Sequence, residues 1–160
     1  MGADPHWDAR DADRGAGPLR LDGYRRALAE AGVEFAPELV IPTASWDVEI
    51  GRMAAAGMIE RGLAFDAVFA VTDWLAFGVI RGLADARRSV PGDVAVAGFD
   101  NIMESDYWVP SLTTVAPDHD QIAALAVERL VLRMEGHLGE AVDLTSDWRL
   151  EVRESSVGRN

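Results

Sequence analysis

Phe65–Asp100 reads FDAVFAVTDWLAFGVIRGLADARRSVPGDVAVAGFD, and this stretch decides the fold. Ala67–Val71 (AVFAV) is apolar without alternation, the pattern of a strand covered on both faces and usual in parallel sheets. Thr72 or Asp73 then offers a side-chain oxygen to the free N–H groups of a helix that runs to about Arg88. Pro91–Gly92 marks a turn, because Pro fixes φ and Gly admits positive φ. Val94–Phe99 (VAVAGF) is a second buried strand. Strand, helix and strand in this order form a right-handed βαβ unit. Ligands of such sheets sit beyond the carboxyl ends of the strands, where Asp73 and Asp100 both fall.

Outward from this unit the rhythm persists. Upstream, Leu21–Ala31 is amphipathic, with Leu21, Tyr24, Leu28 and Ala31 on one face and Gly32 suited to end the helix. Glu38–Pro42 contains a short strand, LVI, and Trp46–Leu63 is the next helix. Its stripe of Ile50, Met53, Ala54, Gly57 and Met58 is expected to pack on the sheet. Helices and strands therefore alternate, which predicts an α/β fold with a Rossmann-like parallel sheet flanked by helices. Downstream, Tyr107–Val115 is an irregular crossing with an extended end. Asp118–Glu135 is a long helix with Ile122, Ala126, Leu130 and Met134 on one side, ended by Gly136 and Gly139. Trp148–Val152 alternates apolar and charged residues, the pattern of an edge strand.

At 160 residues and 49% apolar content the chain has enough material for one cored domain. A formal net charge of −12 disfavours nucleic-acid binding by the chain itself, since phosphate contacts need a basic face. The absence of Cys excludes disulfides and thiolate metal sites. No apolar run is long enough to span a membrane, and the opening MGADPHWDARDADRG lacks the pattern of a signal peptide. Asp11, Asp13 and Asp22 faintly echo a calcium loop, but the glycine and the closing glutamate are out of place. His6, His119 and His137 are too scattered for a metal set. With no G-x-S-x-G, P-loop or H-E-x-x-H pattern present, the expectation is a protein that is not an enzyme and uses no cofactor and no metal.

The segment VTDWLAFGVIRGLADARRSVPGDVAVAGFDN resembles the effector domain of LacI/GalR-type transcriptional regulators. The likeness extends back to Arg20-Leu-Asp-Gly-Tyr-Arg-Arg-Ala-Leu28. It extends forward through Pro110-Ser-Leu-Thr-Thr-Val115 to Glu151-Val-Arg-Glu-Ser-Ser156. Several separated motifs thus stand in the family's order and spacing. The resemblance implies a periplasmic-binding-protein-like type I fold, represented mainly by its C-terminal ligand subdomain. It divides the chain into a flexible arm at 1–19, an effector subdomain at 20–115, a crossover helix of the other lobe at 116–142, and a return strand and tail at 143–160. The resemblance implies that the family's helix-turn-helix and hinge helix, most of its N-terminal lobe, and the first strand and helix of the ligand lobe have no counterpart in this sequence.

Five residues are candidates for effector contact. Asp73 is either a helix N-cap or a bidentate acceptor for sugar hydroxyls, and the resemblance favours the acceptor. Trp46 stands at the mouth of its helix, where an indole can cover the apolar face of a pyranose; some sugar-responsive members of the family carry Trp there. Arg20 opens the R-x-x-G-Y motif, in which the resemblance implies donation to effector hydroxyls or carboxylate. Asp100 ends a strand, with an Asx turn as its plain structural role and effector contact as the alternative. His119 lies where the family places a residue lining the cleft, and the neighbouring Pro117 departs from a polar residue common there.

Two functions fit these features. The first is the sensing domain of a cytoplasmic LacI-type regulator, a homodimer that binds a small effector, a carbohydrate as the resemblance implies, and meets operator DNA through a separate domain. The second is a periplasmic-type sugar-binding protein of a transport system. The helix WLAFGVI is apolar nearly all round, so it needs cover on two sides; a regulator's dimer surface at Leu75–Leu83 is expected to supply the second.

Overall fold

The βαβ unit forms as the apolar pattern requires. The structure, a computed structural model, describes residues 15–137 and 139–157. Strand β1 (Ala67–Phe69) leads into helix α3 (Asp73–Asp85), and β2 (Ala95–Phe99) returns parallel to β1, with Val68 opposite Val96. Helices α1 (Ala16–Glu30) and α2 (Val48–Glu60) precede this unit. After it come a short helix α4 (Glu104–Tyr107), strand β3 (Thr113–Pro117), helix α5 (His119–Met134), strand β4 (Trp148–Glu151) and a single turn, α6 (Glu154–Val157). The four strands form one sheet in sequence order. β2 and β3 pair in parallel, whereas β4 runs antiparallel on the outer edge of β3. The sheet is therefore mixed, and the expected edge strand closes it.

Helix α3 is the centre of the core. Ala76, Phe77 and Leu83 are fully buried, with Leu75, Val79 and Ile80 almost so; each large apolar side chain buried this way contributes about 1.5–3 kcal/mol. Val94, Val96 and Leu112 meet it from the sheet side. The helix is capped by Thr72, whose hydroxyl accepts from the Leu75 N–H at 3.3 Å. Asp73 is the first helical residue and not the cap.

Cover for the second side of α3 comes from α2. Gly51, Gly78 and Gly82 bring the two backbones together: a Cβ on Gly78 would lie 2.0 Å from the Val48 carbonyl oxygen. Two expectations are corrected here. The α2 face that is buried is Gly51, Ala55 and Met58, and it packs on α3 rather than on the sheet. The Leu75–Leu83 surface is filled within this one chain, so its apolarity does not require a dimer and does not separate a regulator from a binding protein.

Three boundaries also differ. Helix α1 begins at Ala16, within the stretch expected to be a flexible arm, because a proline in the first turn costs no hydrogen bond that the helix would otherwise make. This places Asp22 inside a helix, which removes it from any calcium loop; Asp11, Asp13 and His6 lie outside the described residues. The expected strand LVI is instead a 3-10 turn, Pro37–Leu39, followed by extended but unladdered chain. A strand is defined by its ladder, and no strand among the described residues neighbours this segment. β1 is shorter than expected and half covered, with Phe69 37% exposed, since it forms the other edge of the sheet.

Candidate ligand site at the carboxyl edge of the sheet

The loop after β2 brings the charged residues together. Asp100 has φ 118° and Asn101 has φ 50°, two successive residues in backbone regions that side chains rarely adopt and that need support from their surroundings. The Asp100 N–H donates to the Val115 carbonyl at 3.0 Å, and the Asn101 N–H to the Thr114 hydroxyl at 3.3 Å. This turn aims the Asp100 carboxylate at Arg20 on α1, whose Nη2 donates to Asp100 Oδ1 at 3.3 Å. Arg20 Nη1 donates to the Val71 carbonyl at the end of the β1 segment, and the guanidinium lies 3.7 Å from the centroid of the Phe99 ring, a cation–π contact. The helix and the ends of two parallel strand segments thus meet in one ion pair.

The pair is partly shielded from water. Burial lowers the Arg20 guanidinium from its ordinary value, and Asp100 opposes that shift. Burial likewise pushes the Asp100 carboxyl up, Arg20 and His119 pull it down, and the nearby charge of Asp73 adds to the rise. With side chains 17% and 30% exposed, Arg20 and Asp100 keep a face that an incoming polar ligand can reach.

Asp73 lies beneath this pair and is fully buried. Its Oδ1 accepts from the Thr114 hydroxyl at 2.6 Å, and its Oδ2 accepts from the Ile102 N–H at 3.0 Å and the Ser105 hydroxyl at 2.8 Å. Gly98 makes room for it, since a Cβ there would stand 2.3 Å from Asp73 Oδ1. Both carboxylate oxygens are therefore engaged inside the protein, tying α3 to the loop after β2 and to β3. Trp46 is half-buried in the loop ahead of α2 and packs against the core. No hydrogen bond, ion pair or ring contact joins it to Arg20 or Asp100 among the described residues. His119, the first residue of α5, is exposed and bears on Asp100 through its charge.

Thr114, Ser105, Phe99 and Arg153 belong to the site's framework without having been singled out from the sequence. Strand alternation was the available signal. Thr113 and Thr114 are adjacent on β3 and must face opposite ways: Thr114 bonds Asp73, whereas Thr113 bonds the backbone of Arg153 and the hydroxyls of Ser155 and Ser156. The Ser155 hydroxyl donates onward to the Val96 carbonyl at 2.6 Å, which seats α6 on β2. Thr113 and the serine pair of the tail are thus the two sides of one contact, while Thr114 serves Asp73 on the other face of β3.

An α/β sheet carrying a polar, partly shielded cluster at its carboxyl edge defines a small-molecule-binding domain of the Rossmann-like type. The periplasmic binding protein-like domain family matches residues 8–156, and the chain belongs to that family. The HTH-type transcriptional regulator CelR of Thermobifida fusca is 34% identical over 143 residues, 89% of this chain and 42% of its own length. The ribose operon repressor of Escherichia coli is 34% identical over 76% of this chain and 37% of its own length. Among solved structures, a LacI-family regulator from Sanguibacter keddieii superposes with a TM-score of 0.83 at 40% identity, covering 99% of this chain and 58% of that one. A complex of the regulator CelR with cellobiose superposes with a TM-score of 0.82 at 34% identity, covering 88% and 42%. The resemblance to LacI-type regulators is therefore confirmed, and the chain spans about two fifths of the length of these curated relatives.

Proposed function

We propose that this chain is the effector-sensing domain of a LacI-type transcriptional regulator and that its effector is a sugar or a related small polar molecule. The observation that carries this reading is the Arg20–Asp100 pair on the Phe99 ring at the carboxyl edge of the sheet, in a chain whose relatives include the ribose operon repressor and a regulator solved in complex with cellobiose. Arg20 donates to ligand hydroxyls, Asp100 accepts from them, and ligand binding replaces part of their mutual contact. Trp46 covers the apolar face of the ring, and His119 borders the entrance. Asp73 holds the loop that carries Asp100 and reaches the ligand through that loop. The regulator acts in the cytoplasm as a homodimer, and operator contact belongs to a helix-turn-helix outside this sequence. No catalytic step is assigned to the site. The curated relatives are regulators, which favours this reading over a periplasmic transport protein.

Calorimetric titration with a panel including cellobiose and ribose tests the assignment on the parent chain and on Arg20→Ala, Asp100→Ala and Trp46→Ala. The expected result is one sugar that binds the parent and loses about 1–3 kcal/mol, five- to 150-fold in affinity, in each of the Arg20 and Asp100 variants, as unpaired buried polar groups do. Unchanged affinity in both charged variants overturns the site.

A further inference from the structure

Arg153 lies just past β4, far along the chain from the ion pair, yet it is tied to the backbone that aims it. Its guanidinium is only 15% exposed. Nη2 donates to Asn101 Oδ1 at 2.8 Å and to Asp106 Oδ1 at 2.6 Å, and Nη1 donates to the Leu112 carbonyl at 2.8 Å. The Arg153 N–H donates to the Thr113 hydroxyl at 2.8 Å, so the residue is held at both ends. The target of Nη2 is the decisive feature. Asn101 is the second of the two positive-φ residues, and Asp100 is the first.

Such a pair has two ways to relax. Either residue can return to negative φ, and the contact between the Asp100 carboxylate and Arg20 depends on the turn keeping its present form. The backbone bonds to Val115 and Thr114 hold the turn from the sheet side. Among the described residues, the Asn101 side chain is held by Arg153 alone. A planar fork fixes the direction of that bond as well as its length, which a flexible ammonium cannot do for three acceptors at once.

We infer that Arg153 is a positioning residue for the ligand site, holding the Asp100–Asn101 turn in the conformation that directs Asp100 at Arg20. The inference deepens the proposed effector site, and its test needs no effector, so it stands or falls separately from the identity of the ligand. It also assigns a role to the tail: the segment that follows β4 sets the geometry of a carboxylate on the far side of β3.

The Asp100 carboxyl carbon, followed by NMR across acid pH in the full chain, reports the turn directly. Arg20, Asp73 and His119 are the charged groups that act on it, and burial, the largest influence, requires the turn to stay closed. Arg153→Lys and Asn101→Ala are expected to shift the Asp100 titration down toward the ordinary carboxylate value of about 3.9. Asp106→Ala removes an Arg153 partner but leaves the Asn101 bond, and it is expected to titrate with the parent. A purely structural Arg153 gives a different pattern: Asp100 unmoved in both Arg153→Lys and Asn101→Ala, or moved as far by Asp106→Ala. Either result overturns the inference. Should Arg153→Lys fail to fold, Asn101→Gly is read beside Asn101→Ala: both keep Arg153 and delete its bond to this side chain, and glycine accepts the positive φ of residue 101, so a shift in both upholds the inference and a shift in the alanine variant alone overturns it.

Discussion

At Asp73 a carboxylate is surrounded by three donors from two other parts of the chain and has no exposed surface. Replacing it with alanine leaves the Ile102 N–H and the Ser105 and Thr114 hydroxyls without their acceptor, at about 1–3 kcal/mol for each donor that water cannot reach. Asp73→Ala is therefore expected to lower the urea midpoint strongly, well beyond the roughly 1 kcal/mol of a lost helix cap; a change no larger than a cap's contradicts the buried network. Asp100 makes stability depend on pH. Its carboxyl is raised by burial, so folding favours its protonated form. That contribution is present below the unfolded value of about 3.9 and is lost as pH rises through the higher folded value. The difference in urea midpoint between Asp100→Asn and the parent is expected to grow in the variant's favour across this window. A flat difference denies the shift. Asp73 and Asp100 were legible in the sequence because they follow apolar strands, but their roles were not. Burial of Asp73 depends on Gly98, 25 residues further along the chain, and no local pattern shows that approach.

Among the elements, the α2–α3 crossing is the most closely packed. Gly78→Ala places a Cβ 2.0 Å from the Val48 carbonyl oxygen and 2.8 Å from the Gly51 Cα. Since backbone must move on both sides, a loss of at least the roughly 1–3 kcal/mol typical of overpacking is expected. Gly57→Ala, in the same pair of helices, meets nothing within 4 Å and is expected to stabilise by up to about 1 kcal/mol through helix propensity. Thermal melts of the two variants should move in opposite directions; a matched decrease disproves the crossing. The apolar periodicity identified α2, α3, α5 and the strands β1, β2 and β4. It did not reveal that three glycines let α2 lie on α3, because an absent side chain leaves no mark in a hydrophobic pattern. Nor could it show that LVI lacks a neighbour, since composition favours a strand while only pairing makes one.

On the scale of the whole molecule, polarity is unevenly distributed. Helix α5 has no buried residue. Val127, Leu130 and Met134 on it are exposed, as are Trp148, Leu150 and Val152 on and beside β4. Surfaces of this kind associate, and the net charge of −12 opposes that association at low salt. Sedimentation velocity at tens of micromolar, a range in which weak contacts register, is expected to show species larger than the monomer, increasing with salt. Leu130→Glu together with Val127→Lys should reduce them. A clean monomer in the parent at high salt refutes this. The long helix and the return strand were readable as elements from their spacing. Their exposure was not, because a stripe specifies only that a face seeks cover and says nothing of where that cover lies.

The reach of the Asp73 carboxylate also has a consequence in time. Its partners stand 29, 32 and 41 residues further along the chain, so helix formation alone cannot make any of these bonds. They require α3 to be seated and both β2 and β3 to be in register, which makes them late events among non-local contacts. Interactions absent from the transition state act on the unfolding rate. Asp73 is thus a latch on the finished domain: it has little influence on how fast the sheet assembles and a large one on how long the assembled sheet lasts.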